Sequence, residues 1–166
     1  MLLSLNASFV TYILMLNGFK WLSFGSMSLV YATMILGVYL SSIQQSLSCS
    51  EWPLCPNGFL KAPEQNYIVE YMHRLSVGFT AGTIYATAVF SRVKIKKLRR
   101  LTTLTAVLVS IQIAIGALIV TSTLDIRFVT IHLPMGVALF GITLIMFLLF
   151  MRCPTSNEKQ NLENLS

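Results

Sequence analysis

Four stretches without a single Asp, Glu, Lys or Arg govern what this chain can fold into: residues 21–50, 75–91, 101–124 and 128–151. Each supplies most or all of the roughly 20 apolar residues that cross hydrocarbon as a helix. Backbone groups in lipid must be satisfied within a helix or a closed barrel. These runs are continuous rather than alternating, which points to helices and not to barrel strands. Only 11% of the 166 residues are charged and 55% are hydrophobic, about half the charged fraction of a soluble domain. The expected fold is an all-α, polytopic four-helix membrane bundle, with spans at about 21–44, 67–93, 101–122 and 128–151.

The formal net charge of +6 does not indicate nucleic-acid binding. Its centre is Arg92-Val-Lys-Ile-Lys-Lys-Leu-Arg-Arg100, a short link between the second and third apolar runs. Short basic loops stay cytoplasmic, and contact with anionic lipid is a natural accompaniment. With that link inside, both termini are cytoplasmic, the segment 44–66 is the first outer loop and 122–127 is a short outer turn. Lys20 and Arg152 at the inner ends agree; Lys61 and Arg127 on the outer side are minor exceptions. Residues 1–20 read as an interfacial or helical lead-in, 21–151 as the transmembrane domain and 152–166 as a polar cytoplasmic tail of disordered composition. The start of the chain lacks the basic n-region of a secretion signal and the Arg-rich character of a transit peptide, so a prokaryotic cell membrane is the expected location.

Inside this apolar frame stand two histidines. His73 lies about six residues into the second span and His132 about four or five into the fourth, which puts both roughly 6–9 Å below the outer ends of their helices. Ionisable groups in hydrocarbon are costly, and where they persist they mark function. A pair at matched depth, on helices that start from the same face, suits one shared metal. Two neutral imidazoles on opposite faces of a porphyrin is the arrangement of a bis-His haem. The competing reading is two separately hydrogen-bonded packing residues.

Glu70 precedes His73 by three and Arg74 by four, so all three share a helical face. A Glu70–Arg74 ion pair at the membrane surface accounts for both charges. A carboxylate at a haem edge, stabilising positive charge or moving a proton, accounts for Glu70 equally well. Arg74 and Arg127 are candidate partners for anionic propionates; a helix-end snorkel is the plainer reading of Arg127. Cys49 and Cys55, in Cys-Ser-Glu-Trp-Pro-Leu-Cys, fall in the outer loop, where disulfides persist. They could staple the loop or pass electrons. Cys153 is expected as an inner free thiol. Gln112, mid-span, is expected to hydrogen-bond across helices, and Gly78-x-x-x-Gly82 to permit close helix approach.

In order, CSEWPLC, EYMHR, QIAIGALIV and VTIHLPMG resemble the motifs of the haem A synthase family over residues 47–140. The resemblance implies oxidation of the C8 methyl of haem O to a formyl group for terminal oxidase assembly. It implies His73 and His132 as ligands of haem b or haem O, Glu70 as the catalytic carboxylate, and a Cys49–Cys55 disulfide. The family's usual members carry two four-helix halves, each with its own His pair. This chain shows the motifs once and is similar to short, archaeal-type members. A homo-oligomer, in the first instance a dimer, is therefore expected, with a haem O synthase or an electron donor as further partners. Ser50-Glu51 stands where the family more often has Pro-Asp. Two other functions fit the same residues: a four-helix b-type cytochrome that carries electrons or haem, and a membrane thiol oxidoreductase using Cys49 and Cys55.

Overall fold

The computed structural model describes residues 2–49, 51–53, 55, 67–90 and 96–152, with side chains placed from 18 onward in the first helix and from 98 onward in the third. Four helices form: α1 Leu2–Ser42, α2 Ile68–Phe90, α3 Lys96–Thr121 and α4 Ile126–Met151. The 41 residues of α1 run without a break at Asn17-Gly18, so lead-in and first span are one helix. Helix α3 begins five residues ahead of the expected start, inside the basic run. Lys and Arg are good helix formers and carry their charge outward on long stems, so the link does not stop the helix. Helix α4 begins two residues early because Asp125 caps it, its side chain accepting from the Arg127 backbone N–H at 2.9 Å.

Three segments are long and apolar enough to cross a membrane: Gly18–Ser42, Leu98–Thr121 and Ile126–Met151. The expected fourth span, α2, falls short in apolarity and not in length. Its 23 residues extend about 34 Å, but Glu70, His73, Arg74 and a run of Ser, Thr and Gly dilute its apolar content. It is nevertheless a full member of the bundle.

Neighbouring helices pack as a ring, α1 on α2, α2 on α3, α3 on α4 and α4 back on α1. Each helix lends a side chain to the central cluster of Val30, Ala81, Ile84, Val109 and Leu139. The α1–α4 seam is aromatic: Phe19 stacks on Phe150 with centroids 5.9 Å apart, and Tyr31 lies 5.7 Å from Phe140. From Phe19 to Tyr31 the contacts climb α1 while from Phe150 to Phe140 they descend α4, so these two run antiparallel, as do the other neighbours. The α1/α2 and α3/α4 junctions therefore share one end of the bundle, and the basic link lies at the other.

Much of the interior is hydroxylic. Ser23, Ser26, Thr80, Thr87, Thr102, Thr105 and Thr143 are all buried. Most back-bond to a carbonyl one turn earlier, such as Thr105 to Leu101 and Thr87 to Thr83. Small side chains with an internal partner let helices approach without a polar penalty. Gly78 and Gly82 do not serve that purpose: a Cβ at either would meet nothing within 4 Å, and both face outward. The close approaches are at Gly37, Gly116 and Gly136 instead.

Candidate functional site

The junction end of the bundle collects the residues singled out by sequence. His73 sits on α2 and His132 on α4, helices diagonal to one another in the ring. Each ring lies against a glycine of the preceding helix. A Cβ at Gly37 of α1 would stand 3.1 Å from His73 Cε1, and one at Gly116 of α3 would stand 3.4 Å from His132 Cε1. The hairpins α1–α2 and α3–α4 thus present the same device twice: a glycine, and a histidine whose Cε1 edge is directed at it.

Four residues before each glycine stands a polar side chain that braces the partner helix. Thr33 Oγ1 bonds Ser76 Oγ at 3.1 Å and Thr80 Oγ1 at 3.0 Å, and Ser76 Oγ donates to the His73 carbonyl at 2.7 Å. Gln112 Nε2 donates to the His132 carbonyl at 2.9 Å, the cross-helix bond expected of it. Pro134, two residues on, removes an N–H from α4, and neighbouring polar groups commonly support a helix at such a point. One turn deeper, Gly136 lets Gln112 and Met34 in: its Cβ would lie 3.2 Å from Gln112 Nε2 and 3.8 Å from Met34 Cγ.

Among the described residues, three buried side-chain atoms have no hydrogen-bond partner: Nδ1 of His73, Nδ1 of His132 and Oε1 of Gln112. An orphaned buried polar atom costs about 1–3 kcal/mol. All three belong to this one region, which is how a site built for a guest looks when only protein atoms are counted. Among the described residues no three His, Cys, Asp or Glu side chains come together. Two imidazoles suit a metal that brings its own equatorial nitrogens, as a porphyrin does. The donor set, the two glycine cradles and the orphaned nitrogens fit a haem.

Glu70 is 2% exposed. Its Oε2 accepts from Ser48 Oγ at 2.9 Å and from the Cys49 N–H at 2.8 Å, and its Oε1 pairs with Arg74 Nη2 at 2.5 Å. Arg74 in turn donates to the carbonyls of Cys49, at 3.1 Å, and of Glu51. The pair holds the loop between α1 and α2 onto the first turn of α2. The same loop is closed by a Cys49–Cys55 disulfide, Cα–Cα 5.0 Å, buried with Tyr67. Arg127 is not drawn into this group. It is exposed, at the start of α4, and its guanidinium pairs with Asp125 at 2.6 Å. That pairing and the cap hold the Asp125 carboxyl well below its ordinary value, at about 2. Cys153 and most of the tail lie outside the described residues, as does Ser50.

Sequence reasoning did not single out Gly37, Thr33 or Ser48, and it carried Gly116 only within QIAIGALIV, without a role. The available signal was weak: an isolated glycine inside a helical run usually has a packing reason, but the run alone does not say which one meets an imidazole.

The chain is 26% identical over 114 residues to protoheme IX farnesyltransferase of Halobacterium salinarum, in strain NRC-1 and in strain R1. The alignment takes in 68% of this chain but spans only about a quarter of the relatives' length, 26% and 25%. The matched family, described as cytochrome oxidase assembly protein, covers residues 60–165. That stretch contains Glu70, His73, Arg74, Gln112, Arg127 and His132, while the disulfide and Gly37 precede it. By this match the chain belongs to the COX15-CtaA family of cytochrome oxidase assembly proteins, the haem A synthase family.

Proposed function

We propose that this chain binds haem O between His73 and His132 and oxidises its C8 methyl to a formyl group, so supplying haem A to a terminal oxidase. The observation that carries the reading is the pair of imidazoles, each seated on a glycine and each with an unpartnered Nδ1. Family membership supports a role in oxidase assembly. The named activity of the halobacterial relatives, farnesyl transfer to protohaem IX, agrees with a farnesylated haem as the molecule handled.

In this reading two successive hydroxylations, each inserting one oxygen atom of dioxygen while two electrons and two protons from the donor reduce the other atom to water, convert methyl to hydroxymethyl and then to a gem-diol, which loses water to leave the aldehyde. The haem is the substrate. The protein's part is to clamp it from both faces, exclude water and set the charge around its edge. Glu70 already accepts from three donors, so it is arranged as a fixed anion near the site, suited to stabilising positive charge on the ring, rather than as a swinging proton carrier. Arg127, exposed at the junction end, is the freer candidate for a propionate; the guanidinium of Arg74 is engaged by Glu70 and two loop carbonyls. A second copy of the chain would supply the second His pair, and electrons would come from a separate donor.

Pigment extraction from cells that co-express the chain with a source of haem O tests the reaction. Formyl-bearing haem is expected from the wild type and not from His73→Ala or His132→Ala. Haem O returned unchanged by a wild-type chain that has bound it refutes the proposal. A carrier function is the second reading, favoured by Glu70's engagement in bracing the loop; full haem A output from Glu70→Gln would then discriminate against a catalytic role for that carboxylate. Thiol oxidation is disfavoured by burial, since both disulfide cysteines are 2% exposed or less and exchange needs an accessible sulfur.

A further inference from the structure

At the opposite end of the bundle from the histidines, residues 99–107 of α3 carry a shallow, open depression of about 360 Å³ lined by Arg99, Arg100, Thr103, Leu104 and Val107. These residues form a stripe at helical spacing on the outward face of α3, away from the buried side marked by Leu98, Thr102, Thr105 and Val109. The stripe changes character along its length. Two guanidiniums stand at the boundary where the membrane-crossing segment begins, at Leu98, and two exposed aliphatic side chains continue it into the apolar zone, Leu104 at 47% and Val107 at 50% exposure. The Thr103 hydroxyl donates to the Arg99 carbonyl at 2.9 Å, so its proton is committed and the anion-binding donors are the arginines. Lys96 and Lys97 precede them in the sequence.

We infer that this groove is a site for an anionic phospholipid of the leaflet that the basic link faces. The charge order matches such a lipid end to end: guanidinium forks suit phosphate oxygens, and the Leu104–Val107 surface continues at the depth of the upper acyl chain. A soluble anion would use only the upper half of the groove. Topology alone asks for basic residues somewhere at this end; the lipid reading rests on the two guanidiniums lying on the same face as Leu104 and Val107. The lipid would fix the depth of α3 and, through the α3–α4 pairing, the depth of Gly116 beneath the junction end.

Native mass spectrometry of the purified full chain with equal amounts of phosphatidylglycerol and phosphatidylcholine of identical tails tests this. Retained phosphatidylglycerol should exceed phosphatidylcholine in the wild type. Arg99→Gln/Arg100→Gln should lower that preference by about 30-fold, the product of about fivefold for each basic residue at the surface. Arg99→Lys/Arg100→Lys should keep a substantial preference. Arg152→Gln, which removes a cation at the same end but outside the groove, should leave it unchanged. Inorganic phosphate at millimolar concentration should not displace the lipid. The inference is overturned if the two lipids are retained equally, if Arg152→Gln is as damaging as the double change, or if phosphate competes fully. The substitutions are exposed, and unchanged helical circular dichroism verifies that each variant is folded.

Discussion

Replacing Gly37 with Ala should weaken the histidine site far more than the same change at Gly116. The new methyl at 37 would stand 3.1 Å from His73 Cε1, with Nδ1 at 3.6 Å and Nε2 at 3.8 Å. Carbon atoms are at ease about 3.5–4.0 Å apart, so the ring must retreat by about 0.4 Å or more. Overpacking of this kind costs about 1–3 kcal/mol, partly offset by about 1 kcal/mol from replacing a helical glycine. The haem-free Gly37→Ala protein should therefore be between unchanged and about 2 kcal/mol less stable. At Gly116 the methyl meets His132 Cε1 at 3.4 Å, the edge of ordinary contact, and the helix gain of up to about 1 kcal/mol should dominate. Binding diverges further, because a site must be held within about 0.5 Å of its working geometry. Thermal unfolding of both variants in one detergent, followed by haem titration through the Soret band, reads the two quantities separately. Equal haem affinity for Gly37→Ala and wild type, or a greater loss for Gly116→Ala, would refute the reasoning.

Three further outcomes are expected. Glu70→Ala leaves the Arg74 guanidinium with only its two loop carbonyls, a loss of about 1.5–3 kcal/mol for a hydrogen bond to a charged group, and frees the Cys49 N–H; the Cys49–Cys55 bond should then be reduced faster by a membrane-impermeant phosphine, and an unchanged rate would contradict the clamp. Gln112→Leu removes both a useful bond to the His132 carbonyl and an orphaned acceptor, so stability should change by less than about 1 kcal/mol while the haem absorption bands shift. Identical spectra would show that Gln112 does not hold His132. The Asp125 carboxyl, depressed to about 2 by Arg127, contributes its cap fully above the unfolded value of about 3.9 and loses it as pH falls through about 2. Amide exchange in the first turn of α4 should quicken over that window, after correction for intrinsic rates, and Asp125→Asn should flatten the change.

The apolar runs made the four helices legible because membrane burial is enforced residue by residue. The histidine pair was legible because depth follows from counting along a helix. Asp125 was a readable cap, an Asp directly before an apolar run, yet the charge-free run at 128 drew attention past it. Gly78-x-x-x-Gly82 misled for the opposite reason: its spacing marks a smooth helix face but carries no information on which helix, if any, lies against it. The contacts that matter at Gly37 and Gly116 join helices through their position in the ring, and no local pattern encodes that. Glu70 was readable as an ion pair with Arg74, four residues on. Its bonds to Ser48 and the Cys49 N–H required the loop to fold back over α2, which depends on the loop's own path.

Every loop atom that Arg74 grasps is a main-chain oxygen, and Glu70 takes a main-chain N–H from Cys49. The fastening therefore ignores which side chain is displayed at Glu51. A change of side chain at Glu51 should therefore leave this hold in place, while loss of the acid or the base on the helix should not.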